Sequence, residues 1–144
     1  MRWDGIGNFE TVPLSASIHR TAAFYLVVSE IIHVPPAGKR TVALSEYGGI
    51  AWPMPGHEAP GRTYGYGTAK SRAYLTARCK KLQLGTVLPQ LKKGLSALVY
   101  TQLTDVEDEV NGLFTYDRTE IKPDANAVRS VNAALAAEFA KVTR

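Results

Sequence analysis

The sequence predicts a parallel α/β fold. Two short apolar runs, Thr41–Ser45 and Leu95–Tyr100, have the length and near-continuous apolar character of buried parallel strands. Between them Ser71–Lys93 shows helical periodicity. Strand, helix, strand in that order is a βαβ unit, with parallel strands and a right-handed crossover. The C-terminal stretch Asp124–Val142 is a further amphipathic helix.

Met1–Val12 contains Gly5, Gly7 and Asn8 without sustained periodicity and reads as loop. Ser15–Val34 is rich in β-branched and aromatic residues, which favours a strand, while Phe24–Ile32 also fits a buried helical turn. Pro35, Pro36 and Gly38 punctuate the chain and separate residues 1–38, which receive no assignment, from 39–144. The run Thr41–Ser45 then ends in Glu46-Tyr-Gly-Gly. Glycines and prolines between Gly48 and Gly67, with Trp52, His57, Tyr64 and Tyr66 among them, mark a long loop of the kind that usually has a function. In Ser71–Lys93 the residues Tyr74, Leu75, Leu82, Val87, Leu88 and Leu91 share a helix face. Ser71 is the cap, Gly94 the terminator, and Pro89 a kink or a break. A polar loop, Thr101–Asn111, follows the second strand. The last helix has Asp124 as N-cap and Val128, Val131, Leu135, Phe139 and Val142 along its apolar face.

A length of 144 residues suits one domain, and 45% hydrophobic with 21% charged residues is a soluble globular composition. The net charge of +4 and pI near 9.3 raise the question of an acidic partner. The basic residues Arg78, Lys80, Lys81, Lys92 and Lys93 fall on the predicted helix, where a solvated outer face accounts for them and no nucleic acid is expected. One cysteine, Cys79, excludes an internal disulfide and a cysteine zinc site, fits a reducing compartment, and reads as a packing residue. Phe24–Val28 with Ile31 and Ile32 is too short to span a bilayer and is interrupted by Ser29 and Glu30. No signal-peptide pattern opens the chain, so the expected location is the cytoplasm, without membrane contact.

In parallel α/β folds functional side chains gather beyond the carboxyl ends of the strands. Ser45-Glu46-Tyr47 and Tyr100-Thr101-Gln102 lie there. Spacing alone leaves Glu46 open between a capping or salt-bridging acid and a functional carboxylate at the mouth of the sheet. Asp105, Glu107, Asp108 and Glu109 lack the ligand spacing and turn glycine of an EF-hand, and read as a solvated, helix-starting acidic segment. His19, His33 and His57 are too scattered for a zinc pattern. Neither a G-x-S-x-G elbow nor a phosphate-binding glycine loop is present. Trp52, Tyr64, Tyr66 and Tyr100 suit stacking against sugar rings and core filling equally.

The segment Arg40-Thr-Val-Ala-Leu-Ser-Glu-Tyr-Gly-Gly49 resembles the strand-seven motif of glycoside hydrolase family 2, the β-galactosidase/β-glucuronidase family. Tyr64-Gly-Tyr-Gly67, and above all the stretch Ala97 to Arg118 (ALVYTQLTDVEDEVNGLFTYDR), resemble the loop and strand-eight signature of one bacterial branch. The resemblance runs from about Lys39 to the C-terminal helix. It implies a partial (β/α)8 TIM barrel, about strands 6–8 with their helices, in which Glu46 is the nucleophile of a retaining β-glycosidase. Such enzymes need a second carboxyl group about 5 Å away as acid and then base. In this family that partner follows an asparagine at the end of strand four, so the resemblance implies that it lies upstream of this chain. The same resemblance makes Tyr100 and Gln102 substrate-site residues, adds Tyr47 and Trp52 as further candidates, and requires no metal or organic cofactor. Tyr100 stands where other branches have a tryptophan.

A complete barrel takes about 250 residues and family members usually have β-sandwich domains before it. The expected partners are therefore a β-glycoside substrate and either a missing upstream barrel and sandwich portion or further copies of the chain. The alternative reading is a noncatalytic barrel remnant acting as a carbohydrate-binding or self-associating module.

Overall fold

The computed structural model describes residues 22–27, 41–65 and 67–142. Three strands, β1 (Ala22–Val27), β2 (Thr41–Gly48) and β3 (Leu95–Thr101), form a parallel sheet in the order β1-β2-β3. Part of the N-terminal run that fitted strand or helix is thus strand. The rest of that run, His19, His33 and the N-terminal loop lie outside the described residues.

Between β2 and β3 the chain forms α1 (Arg72–Lys80), a π-helical segment over Lys81–Val87, and α2 (Leu88–Leu91). Ser71 caps α1, its hydroxyl accepting from the Tyr74 amide at 3.2 Å. The helix widens immediately before Pro89, whose ring would collide with the carbonyl four residues back, at Gly85. The amide of Leu88 instead reaches the Gln83 carbonyl, one residue further. Helical structure thus continues through Pro89, by way of this wider turn. The last helix, α3 (Ala125–Val142), starts where Asp124 Oδ1 accepts from the Ala127 amide at 2.7 Å.

These helices cover one face of the sheet. Val42, Leu44, Tyr47 and Leu95 are buried there against Leu82, Val87, Leu91, Val131 and Leu135, with Leu98 and Tyr100 packed beside them. The spacing on β2 is not the plain alternation of a strand, in which Leu44 and Glu46 would share a face. Against β1, Tyr25 and Leu26 oppose Leu44 and Glu46. Against β3, Leu98 and Tyr100 oppose Leu44 and Tyr47. Both neighbours locate one extra residue at Ser45–Glu46, a β-bulge. Past the bulge Tyr47 takes the helix-facing place and Glu46 is left to the opposite face. A second irregularity, between the Val42–Leu95 and Ala43–Ala97 pairs, does the same on β3 and leaves Ala97 and Val99 on the uncovered face. Val99 is 56% exposed.

Among the described residues no helix is long and apolar enough to cross a membrane.

Candidate functional site

The site is built where β2 and β3 end. Gly48 pairs with Thr101, and the Gly49 amide donates to the Thr101 carbonyl at 2.8 Å, which holds the two strand ends side by side. Gly48 has φ +103°, and a Cβ there would lie 2.5 Å from Cε2 of Tyr100, so the turn after Glu46 demands glycine twice over. Glu46 is half-buried. Burial raises its pKa above the ordinary 4.5, and the negative charge of Glu109 raises it further. The Thr101 hydroxyl opposes both by favouring the charged form.

Gln102, the next residue on β3's exit, reaches over to Glu109. Its Nε2 donates to Glu109 Oε2 at 3.0 Å and to Asn111 Oδ1 at 2.7 Å, and Asn111 Nδ2 donates to Glu109 Oε2 at 3.4 Å. Asn111 is buried, which stops this amide from wandering. Thr101 thus bonds Glu46, and the next residue along the chain, Gln102, bonds Glu109.

Two loops hold Glu109 in place. The Trp52 amide donates to the Val110 carbonyl at 2.8 Å, the Val110 amide to the Tyr64 carbonyl at 2.9 Å, and the Tyr64 amide to the Asp108 carbonyl, so the loop after β2 is stitched to the loop after β3. Amide and carbonyl of Glu109 both pair with Val106. Underneath, Lys122 Nζ lies 2.7 and 2.9 Å from the two oxygens of Asp105 and 2.9 Å from the Val110 carbonyl, with Lys122 wholly buried. Asp105 Oδ1 also accepts from the Gly112 amide at 2.7 Å. Gly112 is required, because a Cβ on it would run into the backbone of Thr104 and Asp105. At the outer edge His57 Nδ1 meets Asp117 Oδ2 at 2.8 Å. The Thr115 and Thr119 hydroxyls and the Thr119 amide also bond Asp117 and hold its carboxyl well below the usual carboxylate range.

Of the residues that the sequence singles out, Glu46 and Gln102 both lie where β2 and β3 end. Tyr47 and Tyr100 turn toward the helices instead. Their rings meet edge to face at 5.5 Å, the Tyr47 hydroxyl donates to Gln83 Oε1 at 3.0 Å, and the Tyr100 hydroxyl lies 3.4 Å from Cys79 Sγ. Burial pushes the pKa of both phenols and of Cys79 up. They border a cavity of about 240 Å³ between β3, α1 and α3, whose wall is largely apolar. Trp52 packs against Ile50, Ala69, Leu75 and Cys79. These three aromatics support the site from behind. Tyr66 lies outside the described residues.

The reading of residues 105–109 as a solvated, helix-starting segment is corrected. No helix begins there, Asp105 is 4% exposed and paired with Lys122, and Glu109 belongs to the site. Glu109, Asn111 and Lys122 escape sequence reasoning because their roles depend on contacts between chain positions up to 17 residues apart inside an irregular loop. The one local signal is Asn111-Gly112, a turn dipeptide closing the acidic run.

Among the described residues no three His, Cys, Asp or Glu side chains are grouped so as to hold a metal ion. No protein-family model matches the chain, and no curated protein sequence matches it.

Proposed function

We propose that this chain is the C-terminal portion of a retaining β-glycosidase of the family 2 type, acting on an O-glycosidic bond, with Glu46 as nucleophile. The observation that carries the reading is the β-bulge at Ser45–Glu46, which sends a half-buried carboxylate to the helix-free face at the carboxyl end of a parallel strand. In that reading the sheet is the end of a (β/α)8 barrel and its uncovered face is the barrel interior, where functional groups of such barrels collect. Glu46 attacks the anomeric carbon, the bond from that carbon to the leaving oxygen breaks, and the resulting glycosyl ester is later cleaved by water. An acid delivered from an upstream segment protonates the leaving oxygen and afterwards deprotonates the water. Gln102 is the proposed contact to the sugar, with Tyr47, Tyr100 and Trp52 behind the strand ends. The location proposed is the cytoplasm.

A second reading, a noncatalytic self-associating or carbohydrate-binding remnant, is favoured by the exposure of Val99 at 56% and Leu103 at 67% beside the sheet. The two separate on covalent labelling. A 2,4-dinitrophenyl 2-deoxy-2-fluoro-β-galactoside has a leaving group that needs no acid, so an isolated nucleophile can react with it. The expected result is slow addition of one fluorosugar per chain, mapped to the peptide containing Glu46 and abolished in Glu46→Gln. Absence of label at Glu46 would reject the enzyme reading in favour of the remnant.

A further inference from the structure

We propose that the cavity between β3, α1 and α3 is a binding site for a small uncharged aromatic molecule with one hydrogen-bond acceptor, held there by the side-chain amide of Gln83. The cavity lies on the helix-covered face of the sheet, opposite Glu46, so the inference stands independently of the glycosidase reading.

Native interiors are packed to near crystal density and hold few voids larger than a water molecule. A cavity of about 240 Å³ is a departure from that rule, and it exceeds the roughly 150 Å³ of an apolar cavity that suffices for benzene. Leu98, Leu113, Val128, Val131 and Leu135 make its apolar wall. The elements around it are braced. The Thr76 hydroxyl donates to the Arg72 carbonyl at 2.7 Å and accepts from the Asp124 amide at 2.9 Å, which ties the start of α3 to α1. On the sheet side the edge-to-face contact of Tyr47 with Tyr100 at 5.5 Å keeps both rings in place. Exposed Lys80 on α1 and Asn132 on α3 also line the cavity, so it opens to solvent between the two helices. A braced, largely apolar hollow with an entrance is what a small-molecule site requires.

The polar groups of the buried wall define the rest of the ligand. The Tyr100 hydroxyl is engaged with Cys79 Sγ at 3.4 Å, and the Tyr47 hydroxyl donates to Gln83 Oε1 at 3.0 Å. Gln83 is 7% exposed, and its Nε2 has no hydrogen-bond partner among the described residues. The one fully enclosed unpaired side-chain atom among those residues is Gln90 Oε1, so the Gln83 nitrogen faces the open space that this residue lines. Its two N–H donors are satisfied by an oxygen that enters the cavity. No charged side chain is buried in the wall, and Lys80 is exposed at the rim, so a carboxylate inside would lose its hydration without an ion partner. A single ring bearing a carbonyl meets the volume, the apolar wall and the donor together.

The test is fluorine NMR on the whole chain with 4-fluoroacetophenone, whose carbonyl is the acceptor, and 1-ethyl-4-fluorobenzene, which has a similar shape without it. The ketone should saturate one site with a Kd of about 1 mM or below, and bind about fivefold more tightly than the hydrocarbon. It should also slow the reaction of Cys79, which lines the cavity, with a maleimide. Ala127→Leu fills the space from α3 and should abolish binding of both compounds. Tyr47→Phe combined with Gln83→Leu removes the amide and its hydroxyl partner together, so neither is left unpaired, and the two compounds should then bind alike. Absence of saturable binding overturns the site, as does binding that leaves Cys79 reactivity unchanged or persists in Ala127→Leu. Equal affinities in the native chain, or a preference for the ketone that survives in the double variant, overturn the assignment of Gln83. None of these outcomes bears on Glu46, whose labelling by the fluorosugar is read separately.

Discussion

Replacing Lys122 with methionine tests the loop that holds Glu109. The ammonium is 0% exposed and its partner carboxylate 2% exposed, so neither has water to fall back on. Methionine keeps most of the length of the side chain, one atom short, and removes the charge. Asp105 then retains only the Gly112 amide, and the Val110 carbonyl loses its 2.9 Å donor. Removing one member of a buried pair costs about 3–5 kcal/mol, because the other charge stays desolvated without compensation. With a urea dependence of about 2 kcal/mol per molar for a domain of this size, the unfolding midpoint should fall by roughly 2 M. Asp105→Asn alone should cost a comparable amount. The double variant should lose far less than the sum, since replacing both charges removes both desolvation costs. The direction of the Lys122 pKa agrees. Burial pulls it below the ordinary 10.5 against the opposing pull of Asp105. Urea titration followed by tryptophan fluorescence measures all three. If Lys122→Met shifts stability by less than about 1 kcal/mol, or if the singles simply add, the pair does not anchor the loop as described.

Other consequences can be measured on the same protein. Gly48→Ala should destabilise the chain by about 2–4 kcal/mol, because the added methyl meets the Tyr100 ring and a non-glycine residue resists φ +103°; thermal unfolding reads it. Cys79, buried with its pKa raised chiefly by that burial, should react with a maleimide slowly when folded and rapidly in denaturant, and equal rates would contradict its packing. Glu46→Gln should be more stable than the native chain at neutral pH. A carboxyl whose pKa is raised on folding binds its proton more tightly in the native state, so stability falls as pH rises from the ordinary 4.5 through the raised native midpoint. The advantage of Glu46→Gln should therefore vanish below that range, and a gap independent of pH would mean that Glu46 titrates as a free side chain.

Elements with local causes are legible in the sequence. The strands β2 and β3, the Ser71 and Asp124 caps and the buried Val131 and Leu135 of α3 follow from spacing within one segment, whereas Phe139, expected on the same face, is exposed. The widened turn before Pro89 is legible only as a disturbance. A proline announces that a backbone bond is missing, but whether the helix kinks, stops or loosens is decided by what packs on it, here Leu82 and Val87 against the sheet. The loop from Gln102 to Pro123 cannot be read in this way. Its acids look alike in sequence, yet Asp105 is buried against Lys122, Glu107 is exposed and Glu109 accepts from Gln102. Partners far along the chain make those distinctions, and no periodicity encodes them.

The position of Glu46 shows the same limit at the scale of one residue. Strict alternation from Val42 and Leu44, both buried against the helices, would put Glu46 in that core and Tyr47 on the open face. A carboxylate among Leu82, Val87 and Leu91 would have to be paired or neutral. The extra residue at Ser45 reverses the assignment, sending a tyrosine whose hydroxyl finds Gln83 inward and the carboxylate outward, next to Thr101. The bulge is thus both what makes the core apolar and what makes Glu46 available to a ligand. It follows that deleting Ser45, the extra residue, should restore plain alternation with Leu44 and Tyr47 still facing the helices and Glu46 still on the open face. A chain so shortened that folded but carried Glu46 buried among the helices would show that Ser45 is not the extra residue and that the bulge does not fix the direction of Glu46.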